Sequence, residues 1–435
     1  MRTGKRLVRL VITGLGAALL AIVLSSCSVR ALPDLESALN NSGTVTVDAA
    51  TTTVEPLALR ETPALSLEPL WQETFPGAVR AALAQNGQSF LVFGEKGSQQ
   101  WGFDVYADPG RHRWQFTFPQ DDIQKVDAGT YGLDRRIIAM VQRKNQQSRA
   151  YVFDGAGKAL WTRDLEGDVL AAMADDASRA AFINRQTGAV LLTDGSGRTL
   201  ATLQLGAGAS GSFVPGSQWL LLTDQRRVQV VGADGRVMQE EEIPDPIPWR
   251  VALSQKADRI AITTGRPDSA VYMYNKGELQ WRHLLFPGGR NEPVLSPGGD
   301  TLYVVDVGDQ AGVHAYAVDS GAVNWRLYFA APPGYRPSIR ALKAWPQQPL
   351  LLHYVETPVN GNSGSAGSWH ALVWLSRDGR VLGHLPLGSV GHLALSRDGS
   401  RAVISAPSSD DAQRPTATTV RFYNLQGLIS SLSSN

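Results

Sequence analysis

A short motif recurs along this chain at nearly even intervals: a turn glycine, three residues, then tryptophan. It reads Gly110-Arg-His-Arg-Trp114, Gly157-Lys-Ala-Leu-Trp161, Gly277-Glu-Leu-Gln-Trp281 and Gly321-Ala-Val-Asn-Trp325. Copies without the tryptophan begin at Gly197, Gly235, Gly379 and Gly427, and the eight glycines are spaced 47, 40, 38, 42, 44, 58 and 48 residues apart. Before each glycine lies an alternating apolar run, such as Ala150-Tyr-Val-Phe-Asp154 or His314-Ala-Tyr-Ala-Val318, with the two-residue period of a strand with two unlike faces. A second marker, a polar turn between two apolar runs, falls midway in each unit. It is clearest at Leu295-Ser-Pro-Gly-Gly-Asp-Thr-Leu302 and Leu395-Ser-Arg-Asp-Gly-Ser-Arg-Ala402, and related turns occupy 85–89, 131–135, 175–178, 215–218, 255–258 and 346–349. Units of this length with four short strands are propeller blades. The chain is therefore predicted to be all-β, an eight-bladed propeller of four-stranded antiparallel blades over 67–432. Seven blades is the alternative if the stretch between 326 and 383 is irregular.

Ring closure is also legible. Leu70-Trp71-Gln72 matches the outermost strand of a blade but has no inner strands before it, whereas 384–427 supplies three inner strands and a weak outer one at Leu428-Ile-Ser. The N-terminal strand is predicted to complete the last blade, leaving no open edge.

Cys27 is the sole cysteine. Ahead of it lie a basic start (Arg2, Lys5, Arg6, Arg9) and an apolar run from Leu10 to Leu24, the pattern of a secretory signal peptide. The run ends in Leu24-Ser25-Ser26-Cys27, which resembles the bacterial lipobox; the resemblance implies cleavage between Ser26 and Cys27, with a lipid on the cysteine thiol. The alternative is an uncleaved anchor helix. Residues 1–26 are thus expected to be a signal peptide and 27–66, rich in small polar residues and free of aromatics, a flexible tether in which Leu32 to Leu39 is a candidate helix or strand. Ser28 is not the aspartate that retains enterobacterial lipoproteins in the inner membrane. The expected place is a bacterial envelope: the outer membrane, facing the periplasm, in a host with two membranes, and otherwise the outer face of the plasma membrane.

Loss of 1–26 removes four basic residues and no acidic ones, so the formal charge falls from +1 to −3. That balance gives no electrostatic case for a nucleic-acid partner. With Cys27 acylated, no thiol remains for a disulfide, a thiolate metal site or a nucleophile.

The aromatic–Asp/Asn–x–Gly–x–x–x–Trp ending resembles the PQQ-like propeller repeat, and the Leu-Ser-x-Asp-Gly turn resembles WD40-like repeats. Together with the lipobox and eight units, the chain looks like the propeller lipoproteins of the outer-membrane β-barrel assembly machinery over 70–431. That resemblance implies a non-enzymatic scaffold in envelope assembly, and no partner-binding motif carries across residue by residue. The PQQ enzymes would imply a stacked cofactor, a calcium and an adjacent cysteine pair, and the pair is absent.

No Gly-x-Ser-x-Gly elbow, His-Glu-x-x-His or Walker loop occurs. The seven histidines (112, 283, 314, 353, 370, 384, 392) are scattered; His353 and His370 flank a long loop and are the pair able to converge. Asp175-Asp176 and Asp410-Asp411 are expected to be solvated turn residues, and Glu240-Glu241-Glu242 a charged inter-blade loop. No catalytic residue, metal or cofactor is expected. Loops joining successive blades share a face with loops joining second and third strands, and such loops carry recognition. On this face Trp249, Arg290, Tyr335, Arg336, Asp410, Asp411 and Arg414 are the expected partner-binding residues, with aromatic and arginine anchors. The bland reading has Trp249 and Tyr335 plugging the channel mouth, with the arginines paired to nearby acids. The sequence thus points to a lipid-anchored, non-enzymatic scaffold for an envelope protein. The alternatives are a small-molecule or glycan binder lidded by 355–369 and 406–418, or a hydrolase or lyase.

Overall fold

Alternating apolar strands of four to nine residues expose two faces that a single sheet cannot cover, and here each sheet covers its neighbours. The computed structural model describes residues 44–46 and 55–433, apart from 97–99, 120–121, 132–135, 215, 243–247, 265–268, 286–290, 307–310, 347, 360–366, 389 and 408–415. Residues 1–26, expected to be a signal peptide, Cys27 and the segment Leu32 to Leu39 lie outside the described residues.

Eight antiparallel sheets form the eight blades of a propeller. The innermost strands, blades 1 to 8 in order, are Val79–Leu83, Ile123–Tyr131, Val169–Met173, Ser210–Phe213, Pro248–Leu253, Glu292–Leu295, Tyr335–Lys343 and His392–Leu395. The core is correspondingly divided. Eight apolar clusters each join two neighbouring blades, as where Val79, Phe90 and Tyr106 of blade 1 meet Val403, Val420 and Phe422 of blade 8. Phe90 and Phe422 are stacked at 5.1 Å.

The repeat motif has a physical reason. The indole on one blade's outermost strand lies against the turn glycine of the next blade: Trp114 on Gly157, Trp161 on Gly197, Trp281 on Gly321, Trp325 on Gly379. Each indole N–H also donates to a carbonyl in that turn, Trp114 to Gly155 (3.2 Å), Trp161 to Gly195 (3.2 Å), Trp281 to Val318 (2.6 Å) and Trp325 to Arg377 (2.7 Å). Glycine is required twice over at Gly157. Its φ is +93°, and an added Cβ would stand 2.8 Å from the Trp114 ring.

Trp71–Pro76 pairs antiparallel with Ala417–Asn424 and supplies the outermost strand of blade 8, and Trp71 packs on Gly110 of blade 1. The expected weak outer strand at Leu428-Ile-Ser is instead part of a helix, Gln426–Ser433. With that edge already occupied by Trp71–Pro76, the chain turns away; the Asn424 side chain accepts the Gln426 N–H at 3.1 Å, and Ile429 and Leu432 bury against blades 7 and 8. Glu240-Glu241-Glu242, expected as a loop, ends the outermost strand Val237–Glu242, where Gln229 donates to Glu240 at 2.7 Å.

Part of the segment read as a tether lies against the ring. Thr44–Thr46 pairs in parallel with Trp281–His283, Leu57–Ala58 with Phe329–Ala330, and Ala64 bridges His384, so the chain runs along the outer edges of blades 5, 6 and 7 before entering blade 8. Leu59 is fully buried, and Leu65 packs on Gly383, the position where blade 7 lacks the repeat's tryptophan. Arg60 reaches Glu356, which is wholly buried, with Nη2 2.6 Å from Oε2. These contacts require apolar and charged side chains at particular places, which the composition of the segment does not advertise.

Gly157→Ala is expected to destabilise by about 2 kcal/mol or more through steric clash and a positive φ. Gly427→Ala, in the terminal helix with nothing near its added Cβ, should be neutral or stabilise by about 0.5–1 kcal/mol. Chemical unfolding of the two variants checks the contrast. Arg60→Ala leaves Glu356 buried without its cation and is expected to cost about 1–3 kcal/mol; adding Glu356→Gln should recover much of it in the same assay.

Candidate functional site

A cavity of about 910 Å³ follows the central channel along blades 7, 8 and 1. Its wall combines backbone and small residues with Arg80, Arg340, Lys343, His353, His370 and His392, and among the described residues its lining includes no carboxylate. Arg80, Arg340, Lys343 and His392 stand on innermost strands at exposed positions. The strands set this exposure: at the alternate positions, Val79, Ala81, Ile339 and Leu342 turn into the blade junctions and are buried.

Arg340 has a further device behind it. Along blade 7, Ile339 faces Tyr354 and Ala341 faces His353, so Arg340 is the extra residue of a β-bulge. Bulges re-aim side chains beside functional sites. No ion pair with a described carboxylate is formed by Arg80, Arg340 or Lys343. Asp127, whose charge reaches His392, belongs to an adjoining cavity of about 190 Å³ and lies 4.0 Å from Lys125.

His353 and His370 do converge, with Nε2 of the first 3.2 Å from Nδ1 of the second. Both rings stay neutral well below the ordinary histidine range. Burial, then the charges of His370, Arg340 and His392, push His353 down to about 3; burial and Arg340 push His370 to about 4. One ring N–H therefore donates to the other's bare nitrogen. His370 is 7% exposed, and its Nε2 has no hydrogen-bond partner among the described residues. No group of three or more histidine, cysteine, aspartate or glutamate side chains suited to a metal occurs among the described residues.

The lower end of the channel is crossed by polar contacts between turns joining first and second strands. Asp175 accepts from Gln85 of blade 1 (2.5 Å) and from the Gly216 N–H of blade 4 (2.6 Å), and its Oδ2 lies 3.3 Å from Arg397 of blade 8. Asp175 is thus a joining residue rather than a solvated one. Asp176 holds its own turn, accepting from the Ser178 N–H (2.9 Å) and hydroxyl (2.6 Å).

At the upper end, the residues singled out from sequence fare unevenly. Arg290, Asp410, Asp411 and Arg414 lie outside the described residues, and the Trp249 backbone belongs to Pro248–Leu253, as the extra residue of a bulge. Tyr335 and Arg336 begin the innermost strand of blade 7. Tyr335 is half-buried, with the Arg60 guanidinium 5.5 Å from its ring; Trp369 lies 4.9 Å from the same cation. Tyr335 is therefore held by the N-terminal segment. Arg336 is exposed. Arg60, Arg80, Arg340, Lys343 and His392 were not singled out from sequence. Single polar residues at alternate positions of otherwise apolar innermost strands were the available signal.

No family model matches the chain, and no curated protein matches it in sequence. Among solved structures it is similar to the Dos1 propeller, at 11% identity and TM-score 0.52, with 82% of this chain and 95% of that chain covered. It is similar too to Chaetomium thermophilum Sqt1 bound to the N-terminus of the ribosomal protein L10, at 12% identity and TM-score 0.56, covering 80% and 97%. At such identities the likeness concerns the fold, a WD40-like eight-bladed β-propeller.

The neutral buried histidines predict an acid weakness. His353, His370 and His314, the last at about 4 through burial, take up protons on unfolding at pH values between their folded pKa and about 6.5. There the unfolded chain binds more protons, so stability is full above about 6.5 and falls as pH drops towards 4. Unfolding midpoints measured across that window should slope less in His353→Gln/His370→Gln than in the parent.

Proposed function

We propose that this protein is a lipid-anchored extracytoplasmic propeller that binds a protein partner through its upper rim and catalyses nothing itself. The observation that carries the reading is the start of blade 7, where exposed Arg336, without a described acidic partner, follows half-buried Tyr335, whose ring and that of Trp369 share the Arg60 cation. Arginine and large aromatic residues on a rigid support are what dominate binding hot spots. Arg60, paired with buried Glu356, packs against both rings, so the surface is preorganised and little entropy is lost on docking. The neighbour Sqt1 is a propeller bound to a protein N-terminus, a partner type such a rim accommodates.

The anchor rests on the lipobox resemblance at Ser26-Cys27. Thr44 is already on blade 5, and 44 minus 27 leaves 17 residue steps. Even fully extended, these span about 60 Å. The propeller would stay close to the membrane that holds the lipid, as suits an envelope-assembly scaffold.

In-cell cross-linking of the tagged protein, followed by mass spectrometry, is expected to recover one dominant envelope protein. The yield should collapse in Cys27→Ser. Arg336→Glu should weaken that partner's binding at least tenfold, about 1.4 kcal/mol; unchanged affinity would remove this rim from the interface.

A further inference from the structure

We propose that the channel cavity along blades 7, 8 and 1 is a binding site for a phosphoryl-bearing small anion. This site goes beyond the rim reading and does not depend on it. Three cations supplied by two blades that flank a third, Arg80, Arg340 and Lys343, enter one cavity whose described lining contains no carboxylate. Such an imbalance does not follow from composition, since the chain has 41 basic and 40 acidic residues.

Surface cations on a solvated wall would be the bland explanation, and two features argue against it. Arg340 is presented by a bulge that interrupts the longest innermost strands' regular pairing. His370 lines the same cavity, is 7% exposed, and has a ring nitrogen without a described partner. A buried polar atom left unpaired costs free energy that a ligand oxygen or N–H would offset.

The chemistry of the lining selects the ligand. Arg80 and Arg340 offer forked N–H donors and Lys343 a point charge, which suits the several oxygens of a phosphoryl group better than one planar carboxylate. A volume of about 910 Å³ admits a phosphorylated molecule of metabolite size. The lower end is crossed by Arg397 and Asp175, so the ligand enters from the upper face. A free phosphate ester and a phospholipid headgroup share this chemistry.

The full chain is titrated with inorganic pyrophosphate by calorimetry, with citrate in parallel. Pyrophosphate is expected to bind at one site, more tightly than citrate, and Arg340→Gln/Lys343→Gln should weaken it at least tenfold. Arg80→Gln, at a second exposed position, should weaken it independently, while circular dichroism confirms that each variant is folded. Lys256→Gln, an exposed lysine in a lower-face turn of blade 5, should leave binding unchanged. Sedimentation with phosphatidylglycerol vesicles, abolished in the double variant, would assign a headgroup; pyrophosphate binding without sedimentation would assign a soluble ester. No pyrophosphate binding, citrate bound as tightly, or equal weakening by Lys256→Gln would overturn the site.

Discussion

An indole laid on the turn glycine of the next blade is the contact from which the rest of this structure follows. It sets the spacing between neighbouring sheets, because ring and backbone meet with no room for a Cβ, and the indole N–H fixes the lateral position through one carbonyl. Where the repeat departs from the pattern, other groups fill the place. Ala201 stands against Gly235 between blades 3 and 4. Between blades 7 and 8, Leu65 covers Gly383, and Trp345 packs on Gly399 while donating to the Arg397 carbonyl. Each junction thus keeps a close contact of its own kind beside its apolar cluster.

Because the junctions fix the blades, the innermost strands become a rigid wall, and what they display is decided residue by residue. Strand alternation sends Arg80 into the channel while its neighbours bury, His392 opens the innermost strand of blade 8 at an exposed position, and Arg340 stands at the bulge of blade 7. The lower end is tied by Asp175 and Arg397, and the upper end carries the aromatic rim. The two ends are therefore chemically unlike.

The blades and the closing strand were legible in sequence because glycine, tryptophan and strand period are local signals. The eighth glycine marker misled, since Gly427 begins no strand: Leu428 and Ile429 continue the motif in letters but lie in a helix, and only the occupied edge of blade 8 explains why. The path of 57–65 was illegible for a different reason. Its strand pairings are two residues long or single bridges, too short for periodicity, and Arg60 gains meaning only from Glu356, 296 residues away. The channel cations were likewise invisible as a group, because Arg80 and Arg340 are far apart in sequence and meet only through closure. His353 and His370 were visible as a pair because they flank one hairpin.

Closure also imposes an order in time. Thr74 and Thr419 are joined by hydroxyls 3.0 Å apart, yet 345 residues lie between them. Bringing such distant segments together costs about 5 kcal/mol in chain entropy. The closing strand precedes seven blades in the chain and its partner follows them, so blade 8 can be completed only once both ends of the propeller meet. The pairings of 44–46, 57–58 and 64 with blades 5 to 7 seat the residues ahead of that strand against the blades that come just before blade 8. The closing strand is thus tied to the ring twice, by its partner in blade 8 and by the segment that runs ahead of it.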